Sequence, residues 1–197
     1  LVYRSKKPVY WSIPCKTALA EAEIEYKDHI SPSIYVPFRL SNSQKNGSTE
    51  SFVVIWTTTP WTLPANLAIA VHPRVVYNEI ITDEKVYWVA EALTDSFISN
   101  CNIKDFEKGK SLSGCDMVSW QTEHPFIDRV SPVISAEYVT TDSGTGCVHI
   151  APGHGLDDYI SGLDNGLDVY CPLDDNGCYE NDGQIPDCLV GISVLEK

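Results

Sequence analysis

The run Phe52-Val53-Val54-Ile55-Trp56 constrains this chain more than any other stretch. Its residues are continuously apolar and mostly β-branched, with no polar residue to turn outward. That pattern suits a strand buried on both faces. Residues 67–71 read as another strand, and residues 33–40, bracketed by Pro32 and Pro37, as an extended run. Residues 75–81 and 86–90 flank Asp83-Glu84 and look like a hairpin. In residues 20–26 the alternation of Ala20, Ala22, Ile24 and Tyr26 with Glu21, Glu23 and Glu25 has a period of two. Local propensity favours a helix there, but the period predicts a strand. A short helix is predicted over 91–101, with Ala92, Leu93, Phe97 and Ile98 on one stripe. Residues 144–150 read as a turn into a buried strand, followed by a short helix over 156–163. Asp174-Asp175-Asn176-Gly177 is a hairpin turn signal, and residues 41–51 form a polar loop.

Strands outnumber helices and do not alternate regularly with them, which disfavours a doubly wound sheet. The expected fold is mixed α/β and strand-dominated, a curled sheet or β-barrel with a few peripheral helices. With 197 residues and 43% hydrophobic content, the chain can bury one real core or two small ones. No apolar run is long enough for a membrane helix. The first eight residues lack the apolar core of a signal peptide and an initiator Met, so the sequence reads as a piece of a longer protein.

Seven cysteines are present, an odd number at irregular spacing and with no CxxC pair. Zinc-ribbon and thioredoxin chemistry are therefore excluded, and reduced thiols in a cytosolic-type compartment are expected. Asn46-Gly47-Ser48 matches a glycosylation triplet, which in such a compartment signals only a surface turn. The net charge of −13 argues against broad nucleic-acid binding, which needs Lys and Arg for phosphate contacts.

Two segments are candidates for chemistry. The first, Trp56-Thr57-Thr58-Thr59-Pro60-Trp61-Thr62-Leu63-Pro64-Ala65-Asn66, leaves the buried strand with four threonines and an asparagine. Threonines in loops often serve only as turns and caps. Two prolines stiffen this loop, however, and two tryptophans give it an apolar wall, so it can hold a small polar substrate. The second, Gly144-Thr145-Gly146-Cys147-Val148-His149-Ile150-Ala151-Pro152-Gly153-His154-Gly155-Leu156-Asp157-Asp158, places Cys147 and His149 on one strand face. It then turns into a helix that opens with two carboxylates. One of these suits helix capping or the positive helix end; a carboxylate beside hydroxyls and a histidine suits a substrate ammonium.

Other chemistries fail on spacing. Glu107-Lys108-Gly109-Lys110-Ser111 resembles the end of a P-loop, but its required first glycine falls on Lys104. No GxSxG elbow is present. His149 and His154 lie five apart across a Pro-Gly turn, unlike HExxH. A Cys147–His149 thiol hydrolase lacks a third orienting group.

Residues 56–66 and 144–159 resemble the two signature segments of the isoleucyl-tRNA synthetase editing domain. Residues 7–26, 124–134 and 139–146 are similar to further parts of that domain, so the resemblance covers nearly the whole chain. Valyl-type domains are related, but typically carry Lys where this chain has His149 and an Ala-His-Asp turn where it has Gly153-His154-Gly155. Leucyl-type domains have a different threonine-rich segment. Neither the HIGH nor the KMSKS signature of the synthetic site is present.

The resemblance implies a single editing domain over 1–197, with about 1–18 and 180–197 leading from and back to an absent catalytic core. It implies hydrolysis of valine misattached to isoleucine tRNA. Asp158, Thr58, Thr59 and His149 would be the catalytic residues. Thr57, Thr62, Asn66, Trp61, Gly153, His154 and Asp157 would bind substrate. Asp158 would pair with the α-ammonium, the threonines would position the terminal adenosine and the attacking water, and His149 would exclude isoleucine. Asn66 would hold the threonine loop in shape, and Trp61 is read as core. No metal or cofactor is implied for this segment; the parent would use ATP and Mg. The partners would be the aminoacylated 3′ end of the tRNA and the parent's catalytic core. Location would be cytoplasmic, or organellar with an organellar parent. Most tRNA contacts would come from other domains, which reconciles the acidic charge with the function and implies weak tRNA affinity for the isolated segment. The alternatives are a valyl-type domain acting on threonyl-tRNA, a silent 3′-end binding module, and the Cys147 thiol hydrolase.

Overall fold

The computed structural model describes residue 2, residues 5–41 and residues 49–195. The sequon at 46–48 and most of the polar loop at 41–51 lie outside these. The strands are β1 (Tyr10–Ser12), β2 (Thr17–Leu19), β3 (Ile34–Leu40), β4 (Glu50–Thr57), β5 (Ala68–Val71), β6 (Val76–Ile81), β7 (Lys85–Ala90), β8 (Glu107–Ser113), β9 (Gln121–Glu123), β10 (Val130–Ser135) and β11 (Cys147–Ile150). The α-helices are α1 (Thr94–Asn100), α2 (Gly114–Met117) and α3 (Leu156–Asp164).

Strands β1 and β2 pair as a separate small ribbon, and the other nine form one mixed sheet in the order β11-β5-β10-β9-β3-β4-β7-β6-β8. β10 runs parallel to β5, and β4 parallel to β7. The sheet curls until β11 lies near β4, and the Ala90 N–H donates to the Thr145 carbonyl across the gap. It does not close: β11 and β8 remain its edges among the described strands. The expected strand-dominated fold is present, as the curled sheet and not the barrel.

Burial explains the continuous apolar runs. Val53 and Ile55 of β4 pack inside the curl with Phe38, Ile69, Val71, Tyr77 and Val133. Val54, between them, packs on the outer face with Ile80, Val89 and Phe97 of α1. β5 divides the same way: Ile69 and Val71 enter the main core, while Ala68 and Ala70 join Ile134 and Ile150. Leu93 and Phe97 of the expected helical stripe are buried, while Ala92 is exposed. Pro37 is tolerated within β3 because β9 pairs only with Arg39 and Leu40, leaving β3 one neighbour at the proline.

One expected element needs correction. Residues 20–26 are not a strand. Glu21–Glu23 is a single 3-10 turn, and the Ala20 N–H donates to the Glu23 carboxylate at 2.7 Å. Among the described residues no strand pairs with the segment, so alternation alone buried nothing and local capping prevailed. The P-loop-like residues at 107–111 belong to the edge strand β8, whose lysines suit an exposed edge. At 174–177 the turn forms, with the Gly177 N–H bonded to the Asp174 carbonyl at 3.0 Å. It is flanked only by the isolated bridges Leu173–Tyr179 and Cys178–Ser193.

Candidate active site

Strand β4 delivers Thr57 at its end, and the chain tightens at once into a 3-10 helix, Pro60–Ala65. Prolines at 60 and 64 fix φ near the value such a turn needs. Thr57 Oγ1 accepts from the Thr59 N–H at 3.1 Å, and Thr62 Oγ1 donates to the Thr59 carbonyl at 2.9 Å. These bonds are turn and cap chemistry, and they also aim the threonines toward one cavity. Thr57 and Thr62 are buried, whereas Thr58 and Thr59 are exposed at its mouth. The Ser31 hydroxyl holds the Thr58 carbonyl.

The opposite wall comes from β11 and its exit. The register pairs His149 with Ile69 on β5, which sets the imidazole behind the threonine loop. The chain then turns, with the His154 N–H on the Ala151 carbonyl at 2.8 Å, and enters α3 at Gly155. From α3 the Asp158 carboxylate reaches back to accept the Ala151 N–H at 2.9 Å. The resulting cavity of about 310 Å3 is lined by Trp56, Thr57, Thr58, Thr59, Thr62, Val148, His149, Ala151, His154, Gly155 and Asp158.

The polar network fixes the state of His149. The Ser131 hydroxyl donates to Asn66 Oδ1 at 2.6 Å. The Asn66 amide donates to the Ala68 carbonyl at 2.9 Å and faces His149 Nδ1 at 3.3 Å. Nδ1 is therefore an acceptor, and the proton sits on Nε2, which donates to Thr62 Oγ1 at 2.8 Å. Thr62 spends its own proton on Thr59, so the assignment is consistent throughout. Burial, with the nearby His154 and His124 imidazoles, lowers the His149 pKa to about 4; burial alone lowers that of His154 to about 4. Burial raises Asp158 to about 6, opposed by the Ala151 N–H and assisted by Asp157. At neutral pH the site holds neutral imidazoles and a carboxylate poised for a cation.

The structure thus gathers Thr57, Thr58, Thr59, Thr62, His149, His154 and Asp158 around one cavity. Asn66 is fully buried behind it. Asp157 is exposed on the first turn of α3 and does not line it. Gly153 also lies outside the lining; a Cβ there would stand 2.2 Å from the Tyr170 carbonyl, so its smallness serves chain packing. Trp61, expected in the core, is 37% exposed. Its ring meets His154 edge-on at 5.3 Å, because the 3-10 turn rotates it outward. Trp56 lines the cavity as the apolar wall expected of it, whereas sequence reasoning missed Val148 as a wall and the role of Gly155. A Cβ at Gly155 would come within 3.2 Å of the Asp158 carboxyl carbon, so glycine there keeps the carboxylate accessible. The only sequence signal was the Gly-His-Gly turn itself.

Cys147, though on the strand face of His149, packs in the main core, and burial pushes its thiol far up. All seven cysteines are free. Cys147→Ala is expected to cost stability of about 1–2 kcal/mol and to leave the cavity's polar network intact. Thermal melting of the two proteins checks this. Among the described residues, no group of three or more His, Cys, Asp or Glu side chains converges as for a metal, and no helix is long and apolar enough to cross a membrane.

The sequence model of the class I tRNA synthetases (I, L, M and V) matches residues 1–143. The isoleucine–tRNA ligase of Fervidobacterium pennivorans is 52% identical over 176 residues, covering 89% of this chain and 19% of that protein. That of Geobacillus kaustophilus is 50% identical over 177 residues, covering 90% and 19%. The chain thus spans about a fifth of the length of the curated relatives it matches. Among solved structures, GlLeuRS-CP1 superposes with a TM-score of 0.57 at 19% identity, covering 70% of this chain and 66% of that one. The P. knowlesi cytosolic leucyl-tRNA synthetase editing domain superposes with a TM-score of 0.56 at 12% identity, covering 67% and 62%. These two likenesses establish the fold, and the sequence relatives establish the type. The chain belongs to the class I tRNA synthetases of the I, L, M and V group, its sequence relatives within that group are of the isoleucyl type, and it has the fold of the leucyl-type editing domains.

Proposed function

We propose that this domain hydrolyses the ester linking valine to isoleucine tRNA, releasing free valine and tRNA. The observation that carries the reading is the convergence of the Asp158 carboxylate, the threonine loop and a neutral His149 on one cavity. The need for such a site is physical. One methylene is worth only about 1–3 kcal/mol in an apolar pocket, a limit for which the isoleucyl enzyme is itself the standing example. A second cavity that accepts the smaller amino acid and rejects the larger multiplies the discrimination.

In this mechanism Asp158 pairs with the α-ammonium of the misattached amino acid. Thr58 and Thr59, at the mouth, meet the terminal ribose and position the attacking water. Both nitrogens of His149 are engaged by Asn66 and Thr62, so its part is to hold Thr62 and wall the side-chain space, not to take a proton from water. Aminoacyl esters are labile, and orientation with stabilisation of the developing oxyanion is sufficient help. The aminoacylated tRNA 3′ end is the partner that enters. Residues about 1–18 and 180–197 lead from and back to the catalytic core, which supplies most tRNA contacts and uses ATP and Mg.

The test is deacylation of Val-tRNA(Ile) and Ile-tRNA(Ile) by the full-length ligase. Removal of valine with isoleucine spared is expected. Survival of both esters would leave a 3′-end binding module.

A further inference from the structure

Residues 124–131, within the stretch 124–134 that resembles the family, form a cradle beneath the threonine loop. His124 Nε2 donates to the Leu63 carbonyl at 2.9 Å. Arg129 Nη1 donates to the carbonyls of Pro64 and Asn66, at 3.0 and 2.7 Å. Ser131, fully buried on β10, donates to Asn66 Oδ1 at 2.6 Å. Only the last of these bonds reaches the side chain that touches His149.

We propose that Ser131 is a positioning residue of the site, which locks the Asn66 amide and thereby fixes the His149 proton on Nε2. The argument is one of donors and acceptors. With Ser131 donating, Asn66 Oδ1 cannot turn toward His149, so the imidazole meets an N–H donor at Nδ1 and must present a lone pair there. Protonating Nδ1 would set two donors against each other. Removing the Ser131 hydroxyl strips Oδ1 of its partner in a fully buried place. The amide can then rotate, at the expense of its bond to the Ala68 carbonyl, so that Oδ1 accepts a hydrogen bond from a protonated Nδ1. The titratable groups around His149 are His154 after β11, His124 before β10 and Asp158 on α3. None of them contacts the Ser131 hydroxyl, so its removal reports on the amide.

The activity arm rests on the deacylase reading; a spectroscopic arm does not. In the full-length ligase, Ser131→Ala is expected to lower kcat for Val-tRNA(Ile) deacylation about tenfold, with KM little changed, and to move the acid limb of the pH profile upward. Ser131→Thr, which keeps the hydroxyl, restores both. Ser131→Cys is nearly isosteric and a poor donor; it is expected to behave as the alanine variant, which separates the hydrogen bond from packing. With 15N-histidine in the same ligase, wild type shows His149 unprotonated at Nδ1, and the Ala and Cys variants show the other tautomer or an earlier titration. Wild-type tautomer and pH profile in Ser131→Ala or Ser131→Cys overturn the proposal, as does a shifted tautomer in Ser131→Thr. If the wild-type ligase strips no valine, the deacylase reading falls and the tautomer result alone decides the role of Ser131.

Discussion

Replacing Asp158 with alanine in the full-length ligase is expected to slow Val-tRNA(Ile) deacylation by about a hundredfold or more. A partly buried, charge-assisted pair is worth about 2–5 kcal/mol when one partner is truncated, and about 2.7 kcal/mol is a hundredfold. The carboxylate also accepts the Ala151 N–H at the junction of β11 and α3, so alanine removes a structural bond as well. Asp158→Asn separates the two roles. Its amide oxygen can still accept from Ala151, but it carries no charge for the ammonium. Both variants should lose valine hydrolysis, while only alanine should loosen the turn. The asparagine variant should also be more stable than wild type at pH 7. Burial raises the Asp158 pKa from 3.8 to about 6, so keeping it ionised in the fold costs about 3 kcal/mol. That penalty at neutral pH is the mark of a group kept for a cation and not for the fold. Deacylation rates with thermal melts of the three proteins check this; asparagine with wild-type valine hydrolysis would remove the ammonium-pairing role.

The strands that sequence made legible are those whose burial is independent of partners far along the chain. Val53 and Ile55 face one core and Val54 another, and that double burial is written directly in the apolar run. The hairpin of β6 and β7 is local and needs no distant information. β8 escaped because its exposed residues carry no apolar pattern; only pairing with β6 makes Glu107–Ser113 a strand. Residues 20–26 misled for the converse reason, since their alternation is real but faces no partner. At the site, Thr57, Thr62, His149 and Asp158 stood in recognisable runs. Ser131 and Arg129 act across more than 60 residues of chain through hydrogen bonds to Asn66, and no spacing rule brings β10 under the threonine loop. Trp61 misled because a tryptophan between prolines reads as core, while a 3-10 turn sends successive side chains in directions that neither strand nor helix periodicity describes.

Mild acid should unfold this domain, with the native signal lost between about pH 6 and pH 4. Burial lowers the pKa values of His124, His149 and His154 from 6.5 to about 4. For each, the unfolded chain binds a proton more readily than the folded one, so stability present above pH 6.5 is lost as pH falls toward and through 4. Each imidazole withdraws about 3 kcal/mol by pH 4. Asp158 acts with the opposite sign: its raised pKa means that the folded state takes up the proton first, so its penalty fades as pH drops below 6. One carboxylate offsets one imidazole, and the remaining two leave a net loss of about 6 kcal/mol. That is comparable to the whole stability of many domains, about 5–15 kcal/mol. The wiring of two of the three rings makes the loss cooperative. His124 Nδ1 accepts the Ile127 N–H at 3.1 Å while Nε2 donates to Leu63, and His149 is similarly committed, so neither can accept a second proton without breaking a bond that shapes the threonine loop. Circular dichroism of the 197-residue chain from pH 7.5 to 3.5 checks the transition. His124→Gln, whose amide can keep the bond to Leu63 without titrating, is expected to move the midpoint down by about half a pH unit or more. A native spectrum retained at pH 4, or a midpoint unmoved by that substitution, would mean that these buried imidazoles do not set the acid limit of the fold.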